Sequence, residues 1–256
     1  MSAQVQSAPL LTDAQVRSFQ HDGFLRLEAL VDASEVETLL ALYDELFERH
    51  GGFEEGDRIE LNADVAQSPL PQVVNPERYA PRLIEGAAYR NAREVARQLL
   101  GPEYRPTGNH AILKPARIGG ATPWHQDEAY WDPRYVHRAV SIWIALQPAT
   151  LENGCMRFVP GSHLGPVLPH ELIHADSHGL RLSDMHPDSP QVVCELPTGG
   201  ATIHDGRTIH YAGPNLSEQP RRALVFGFGL APVLLDIPNH YPWQRPEWLQ
   251  PLPQGH

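Results

Sequence analysis

The sequence predicts a mainly β domain buttressed by flanking α-helices, and three observations carry that expectation. Apolar residues with helical spacing gather before about residue 105, short apolar runs broken by Gly, Pro and Asn follow Gly101, and no repeat or low-complexity segment interrupts either part. The 256 residues suit one domain: a helical preface over about 1–104, a β core over about 105–235 and a tail over 236–256.

Taken in order, Thr12, Asp13 and Gln15 form a capping-box pattern, so a short helix is expected to run to about His21 and stop at Gly23. A second helix begins near Asp32 or Ser34. There Val36, Leu39, Leu40, Leu42, Tyr43 and Leu46 recur with helical spacing until Gly51 and Gly52. A third spans Asn91 to Leu100. The strands then come as HAILKP, AVSIWIALQPA, CMRFVPG, QVVCEL, ATIHD and RRALVFGFGLAPV, short runs bounded by turn formers in the rhythm of a sandwich or barrel. Within SIWIAL, alternation puts Ile142, Ile144 and Leu146 on one face and Trp143 and Ala145 on the other.

Composition excludes several classes of partner. The 31 acidic residues against 20 basic ones give a formal charge of -11, which disfavours nucleic acid and anionic membrane. An apolar fraction of 41% without a run near eighteen residues argues against a membrane span, and MSAQVQSAPLL lacks a basic region followed by an apolar core. A cytoplasmic location is therefore expected. Cys155 and Cys194 are too few for a disulfide framework and lack zinc-ligand spacing, so both read as buried small hydrophobes in a reducing compartment.

The chemistry sits in two segments. In PWHQDEAYW, His125 and Asp127 stand two apart, so on a strand both side chains face the same way and can grip one ion. His210, in ATIHDGRTIHYAGPN on a later strand, supplies a third ligand. Two imidazoles and one carboxylate on one face of an ion leave three positions open, the arrangement of non-haem Fe(II) sites that bind oxygen and a cosubstrate together. With 14 histidines in the chain, His-X-Asp alone is a weak signal. Arg221 strengthens it: eleven residues past His210, its planar fork can hold a carboxylate through two parallel bonds, as an oxo-acid cosubstrate needs.

Several segments together resemble a known family. The opening LTDAQVRSFQHDGFLRLEALV, the strand ILKP, the metal segment WHQD, the run NGCMRFVPGSH and the closing HYAGPN followed by RRA are similar, in order and spacing, to the phytanoyl-CoA dioxygenase family of 2-oxoglutarate oxygenases, which includes ectoine hydroxylase. The likeness covers nearly the whole chain. It implies a double-stranded β-helix, or cupin-like jelly roll, with the N-terminal helices on one face, and the cofactors Fe(II), 2-oxoglutarate and O2. By position it implies His125, Asp127 and His210 as metal ligands and Arg221 as the anchor of the distal carboxylate of 2-oxoglutarate. Trp143 matches a tryptophan lining the cosubstrate pocket, Gln126 lies inside the metal segment, and His110 matches a position that touches 2-oxoglutarate in relatives. Asn215 matches the family's asparagine, a turn former. Ala212 departs from the family, whose serine two residues after the distal histidine helps bind the cosubstrate; the missing hydrogen bond is worth about 1 kcal/mol. Asp127 also disfavours a halogenase, in which a small residue replaces the carboxylate.

The substrate is expected to be a small organic molecule, contacted by residues flanking the metal loop, of which Tyr130, Trp131 and Arg207 are the candidates. Hydroxylation is the expected outcome, with desaturation, epimerisation or cyclisation as variants of the same chemistry. Different classes are a zinc hydrolase and a cupin-like protein that holds metal without turnover. The hydrolase reading rests on His170, Glu171 and His174, an H-E-x-x-H pattern that binds zinc when helical. Its metzincin extension fails at Ser177 and Leu180, and the stretch reads as a loop with a short helical turn in a surface cluster with His163 and His178. Lys114 reads as a solvated strand-end charge, and His204 as a packed residue or one that supports the metal ligands from behind.

Overall fold

A computed structural model of the protein describes residues 10–62, 68–174, 179–184 and 189–244. His178 and the end of the expected tail lie outside the described residues. In chain order the elements are α1 (Asp13–Asp22), β1 (Phe24–Leu27), α2 (Ala33–Glu48), β2 (Arg58–Glu60), β3 (Pro71–Val74), α3 (Ala87–Leu100), β4 (Arg105–Lys114), β5 (Thr122–His125), β6 (Tyr135–Val136), β7 (Ala139–Ala145) and β8 (Met156–Phe158). They continue with β9 (His170–Leu172), β10 (Leu180–Leu182), β11 (Val192–Cys194), β12 (Ala201–Asp205), β13 (His210–Ala212), β14 (Arg221–Gly229) and β15 (Val233–Leu234).

The major sheet runs β1-β12-β7-β14-β4-β3-β2 and faces a minor sheet β11-β8-β13-β5, both antiparallel. Alternation along the central strands decides what each face buries. Ile142, Ile144, Leu224 and Phe226 point outward and pack beneath α2 and α3 with Leu39, Tyr43, Ala92 and Val95. Trp143, Ala145 and Ala223 point inward with Met156, Phe158 and Cys194 of the minor sheet. The expected partition of SIWIAL therefore holds, and the helices cover one outer face of a double-stranded β-helix. Phe24 of the major sheet stacks on Phe158 of the minor one, ring centroids 4.7 Å apart, and ties the two layers together beside the site.

The helices obey their local signals with some shifts. Thr12 and Gln15 close the capping box of α1, and Gly23 ends it at φ 81°, a conformation that favours glycine. Asp32 caps α2 through the Glu35 amide, but that helix stops at Arg49, before the glycines expected to end it. α3 starts at Ala87, four residues earlier than its spacing predicts. The helical preface also contains strands: β1 pairs with β12 on one edge of the major sheet, and β2 and β3 extend the other edge beyond β4. Among the described residues no helix is long and apolar enough to cross a membrane. Cys155 and Cys194 are buried and unpaired, and burial pushes their thiols up to about 11 and about 12.

Candidate metal centre and cosubstrate pocket

His125 is the last residue of β5 and His210 the first of β13; the two are register partners, so their rings meet with centroids 4.1 Å apart. Each Nδ1 donates to a backbone carbonyl two residues upstream, His125 to Pro123 at 2.8 Å and His210 to Thr208 at 2.9 Å. That fixes both rings so that each Nε2 offers a lone pair to the same point. Asp127 reaches this point differently from the strand alternation expected of it. It opens a 3-10 turn, Asp127–Tyr130, after the strand has ended. Its Oδ1 stands 3.5 Å from both Nε2 atoms, and one ligand atom from each of the three residues lies within 4.8 Å of the other two. Among the described residues this is the one group of His, Cys, Asp or Glu close enough to hold an ion.

The electrostatics suit a divalent cation. Burial, together with the nearby rings of His125 and His204, holds His210 well below the usual histidine range, so its lone pair is free near neutrality. Burial opposes ionisation of Asp127, but His210, His125 and His204 outweigh it and keep the carboxyl well below the usual carboxylate range. Two imidazoles and one carboxylate on a common face form the 2-His-1-carboxylate arrangement of non-haem iron.

The triad opens into a cavity of about 350 Å³ between the sheets. At the far end of β14 lies Arg221, 1% exposed, with Cζ 5.1 Å from the centre of the Trp143 ring. Its Nε and Nη1 are buried with no hydrogen-bond partner. Burial lowers this guanidinium to about 10, so it stays charged near neutrality. An unpaired buried cation costs several kcal/mol unless something anionic is meant to meet it. Lys114, its register partner on β4, does not relieve it: its amine brings no negative charge, and burial together with Arg221 holds it well below the usual lysine range.

Lys114 corrects one expectation: it is fully buried, and its Nζ donates to the carbonyls of Ala212 at 3.0 Å and Gly213 at 2.5 Å. It braces the turn that follows His210. Asn215 anchors the same turn by donating to the carbonyls of Lys114, Pro115 and Gln219.

The other anticipated residues divide. Trp143, His110, Tyr130 and Trp131 all line the cavity, as does Ala212, and burial lowers His110, which therefore stays neutral. Gln126 does not line it. Its amide donates to the carbonyls of Arg207 and Pro166 and accepts from the Leu168 amide, so it bolts the metal turn to two neighbouring loops. Gln126 is itself extended and directly follows His125, whose side chain faces the cavity, so its own side chain points away. Arg207 is likewise absent from the lining; its guanidinium is paired with the buried carboxylate of Glu128.

The H-E-x-x-H stretch is not helical. His170 and Glu171 lie on β9, whose alternation sends them to opposite faces. His170 Nδ1 donates to the Leu168 carbonyl while Nε2 accepts from the Gln126 backbone N–H, and Glu171 pairs with Arg181 at the surface. The short helical turn expected here was wrong because Leu172, Leu180 and Leu182 favour pairing of β9 with β10. Sequence reasoning also missed part of the cavity lining: Ile59 of β2, Leu61 just after it and Gln72 of β3, strands whose three- and four-residue runs carry little periodic signal.

A double-stranded β-helix with this triad and a buried arginine at the depth of its cavity defines a 2-oxoglutarate-dependent non-haem iron dioxygenase. Residues 19–223 match the family model for phytanoyl-CoA dioxygenase. The chain belongs to the phytanoyl-CoA dioxygenase family. It is 42% identical to EvdO2 from Micromonospora carbonacea var. aurantiaca, whose crystal structure is complexed with 2-oxoglutarate; the match covers 94% of this chain and 100% of that one with a TM-score of 0.81. It is 26% identical to a probable phytanoyl-CoA dioxygenase of Caenorhabditis elegans, over 84% of this chain and 74% of that protein. It is 27% identical to a probable alpha-ketoglutarate-dependent hypophosphite dioxygenase of Stutzerimonas stutzeri, over 85% and 78% of the two chains.

Proposed function

We propose that the protein uses Fe(II), O2 and 2-oxoglutarate to oxidise, by hydroxylation, a small organic molecule that carries no charge where it meets the iron. One observation carries the reading: a single cavity holds the His125, Asp127 and His210 face and, at its other end, a buried arginine with two unpaired donors.

In this reading His125, Asp127 and His210 hold the iron, and Arg221 grips the distal carboxylate of 2-oxoglutarate through the Nε and Nη1 that lack partners. Trp143 walls this end and shields the ion pair from water, which strengthens it. His110 flanks the cosubstrate from β4, and Ile112, Val225 and Met156 keep that half of the chamber apolar. Bound there, the iron, 2-oxoglutarate and O2 together supply oxidative decarboxylation of the cosubstrate to succinate and carbon dioxide and an oxidant able to remove a hydrogen atom.

Asp127 and Arg221 are the cavity's two formal charges among the described residues, and both are spent on iron and cosubstrate. A charged substrate group would be buried without compensation, which favours an uncharged one. Tyr130 and Trp131 flank the mouth of the chamber and offer it aromatic surface. We read residues 1–256 as one catalytic domain and place it in the cytoplasm, where buried free thiols such as Cys155 and Cys194 stay reduced.

The test is consumption of the cosubstrate. Purified protein with Fe(II), O2 and 2-oxoglutarate should form succinate, and Asp127→Ala should not. Succinate formation at the wild-type rate by Asp127→Ala would refute the assignment.

A further inference from the structure

Asp127 has a second oxygen, Oδ2, and two side chains converge on it. Ser141 on β7 and His204 on β12 are register partners, so both leave the major sheet on the cavity face. Ser141 Oγ donates to Asp127 Oδ2 at 2.8 Å, and His204 Nε2 lies 3.3 Å from the same atom. The other oxygen, Oδ1, is the one that faces both ligand imidazoles. A carboxylate oxygen only accepts, so His204 Nε2 donates to it and the ring's other nitrogen is Nδ1. That Nδ1 is buried with no partner, in a residue 2% exposed. An imidazole that leaves one nitrogen unsatisfied in a core is a poorer packing choice than an apolar ring, so its place is explained by what Nε2 does.

We propose that Ser141 and His204 form a clamp that restricts Asp127 to one metal-facing oxygen and thereby keeps a coordination position of the iron open. The inference rests on the iron reading above. Six positions less two imidazoles and one carboxylate oxygen leave three, enough for a chelating oxo-acid and for oxygen. A carboxylate free to swing both oxygens onto the ion would take one of the three. With Oδ2 engaged from two directions, Asp127 has no oxygen to spare. The two are positioning residues: they act on the metal through Asp127.

The test uses metal binding, with Co(II) standing in for Fe(II) so that the visible spectrum reports coordination number. Metal-free wild type, Ser141→Ala, His204→Phe and His204→Gln are titrated without oxygen, and thermal unfolding of each metal-free protein checks the fold. Wild type should bind one equivalent. Ser141→Ala and His204→Phe should bind Co(II) roughly 10- to 100-fold more weakly, with an altered spectrum, because outer-shell partners of a ligand typically carry that much affinity. His204→Gln keeps an N–H within reach of Oδ2 and should recover most of the loss.

Unchanged affinity and spectrum in Ser141→Ala and His204→Phe would overturn the clamp. So would a spectrum in which only His204→Phe loses a nitrogen ligand, since His204 would then bind the ion itself. Should His204→Phe fail to fold, Ser141→Ala, which deletes a single oxygen, decides alone. A wild type that binds no metal would instead refute the iron reading.

Discussion

Replacing Arg221 by Met should stabilise the metal-free protein and weaken 2-oxoglutarate together, and the structure supplies both magnitudes. Burial lowers the guanidinium from 12.5 to about 10, which corresponds to about 3 kcal/mol against the charged form in the fold. Its stacking over Trp143 returns about 1 kcal/mol. Methionine removes both and leaves a net gain of about 2 kcal/mol, or roughly 4–8 °C in Tm for a chain of this size. Against this, two charge-assisted bonds from Nε and Nη1, each about 1.5–3 kcal/mol, are lost to the cosubstrate. The affinity for 2-oxoglutarate should fall by roughly 10²- to 10⁴-fold. Thermal unfolding followed by circular dichroism gives the first quantity, and anaerobic calorimetric titration of the metal-loaded protein gives the second. A variant less stable than wild type, or one that binds 2-oxoglutarate equally well, would refute the view that Arg221 is a cation kept unpaired for a carboxylate.

Two further outcomes concern the polar contacts behind the metal turn. Gln126→Leu strands the Leu168 amide and the Arg207 and Pro166 carbonyls in the interior and should cost about 3–5 kcal/mol in urea unfolding; a loss under about 1 kcal/mol would show that the bolt is dispensable. Burial lowers His170 from 6.5 to about 4, so between those pH values the unfolded chain binds a proton that the folded chain refuses. Stability should therefore fall as pH drops across that window, by at most about 3 kcal/mol from this group, and His170→Gln should flatten the dependence. Equal pH slopes in wild type and variant would contradict the assignment.

Much of the site was legible because its residues sit where local rules are strong. His210 and Arg221 each begin a regular strand, where alternation fixes which face a side chain takes. Trp143 faces the cavity by the alternation visible in SIWIAL. The failures have physical causes as well. Lys114 looks solvated because lysine at a strand end before proline usually is, and only the fold reveals the carbonyls of Ala212 and Gly213 waiting for it. Gln126 belonged to the right segment but the wrong face. Arg207 found a buried carboxylate, Glu128, that no short-range pattern announces. His204, expected either to pack or to support the ligands from behind, does the second, but that it reaches Asp127 needs the register of β12 on β7. The strands β1, β2 and β3 hid among helices because runs of three or four residues fix no period.

The central claim is that one ion sits among His125, Asp127 and His210 in the β cavity, facing Arg221. Anaerobic titration of the metal-free protein with Fe(II) tests it most directly, comparing wild type with alanine variants at those three positions and at His170 and His174. One equivalent should bind to wild type and to His170→Ala and His174→Ala, and binding should collapse in His125→Ala, Asp127→Ala and His210→Ala. Undiminished binding in the latter three, with loss in His170→Ala or His174→Ala, would place the ion elsewhere.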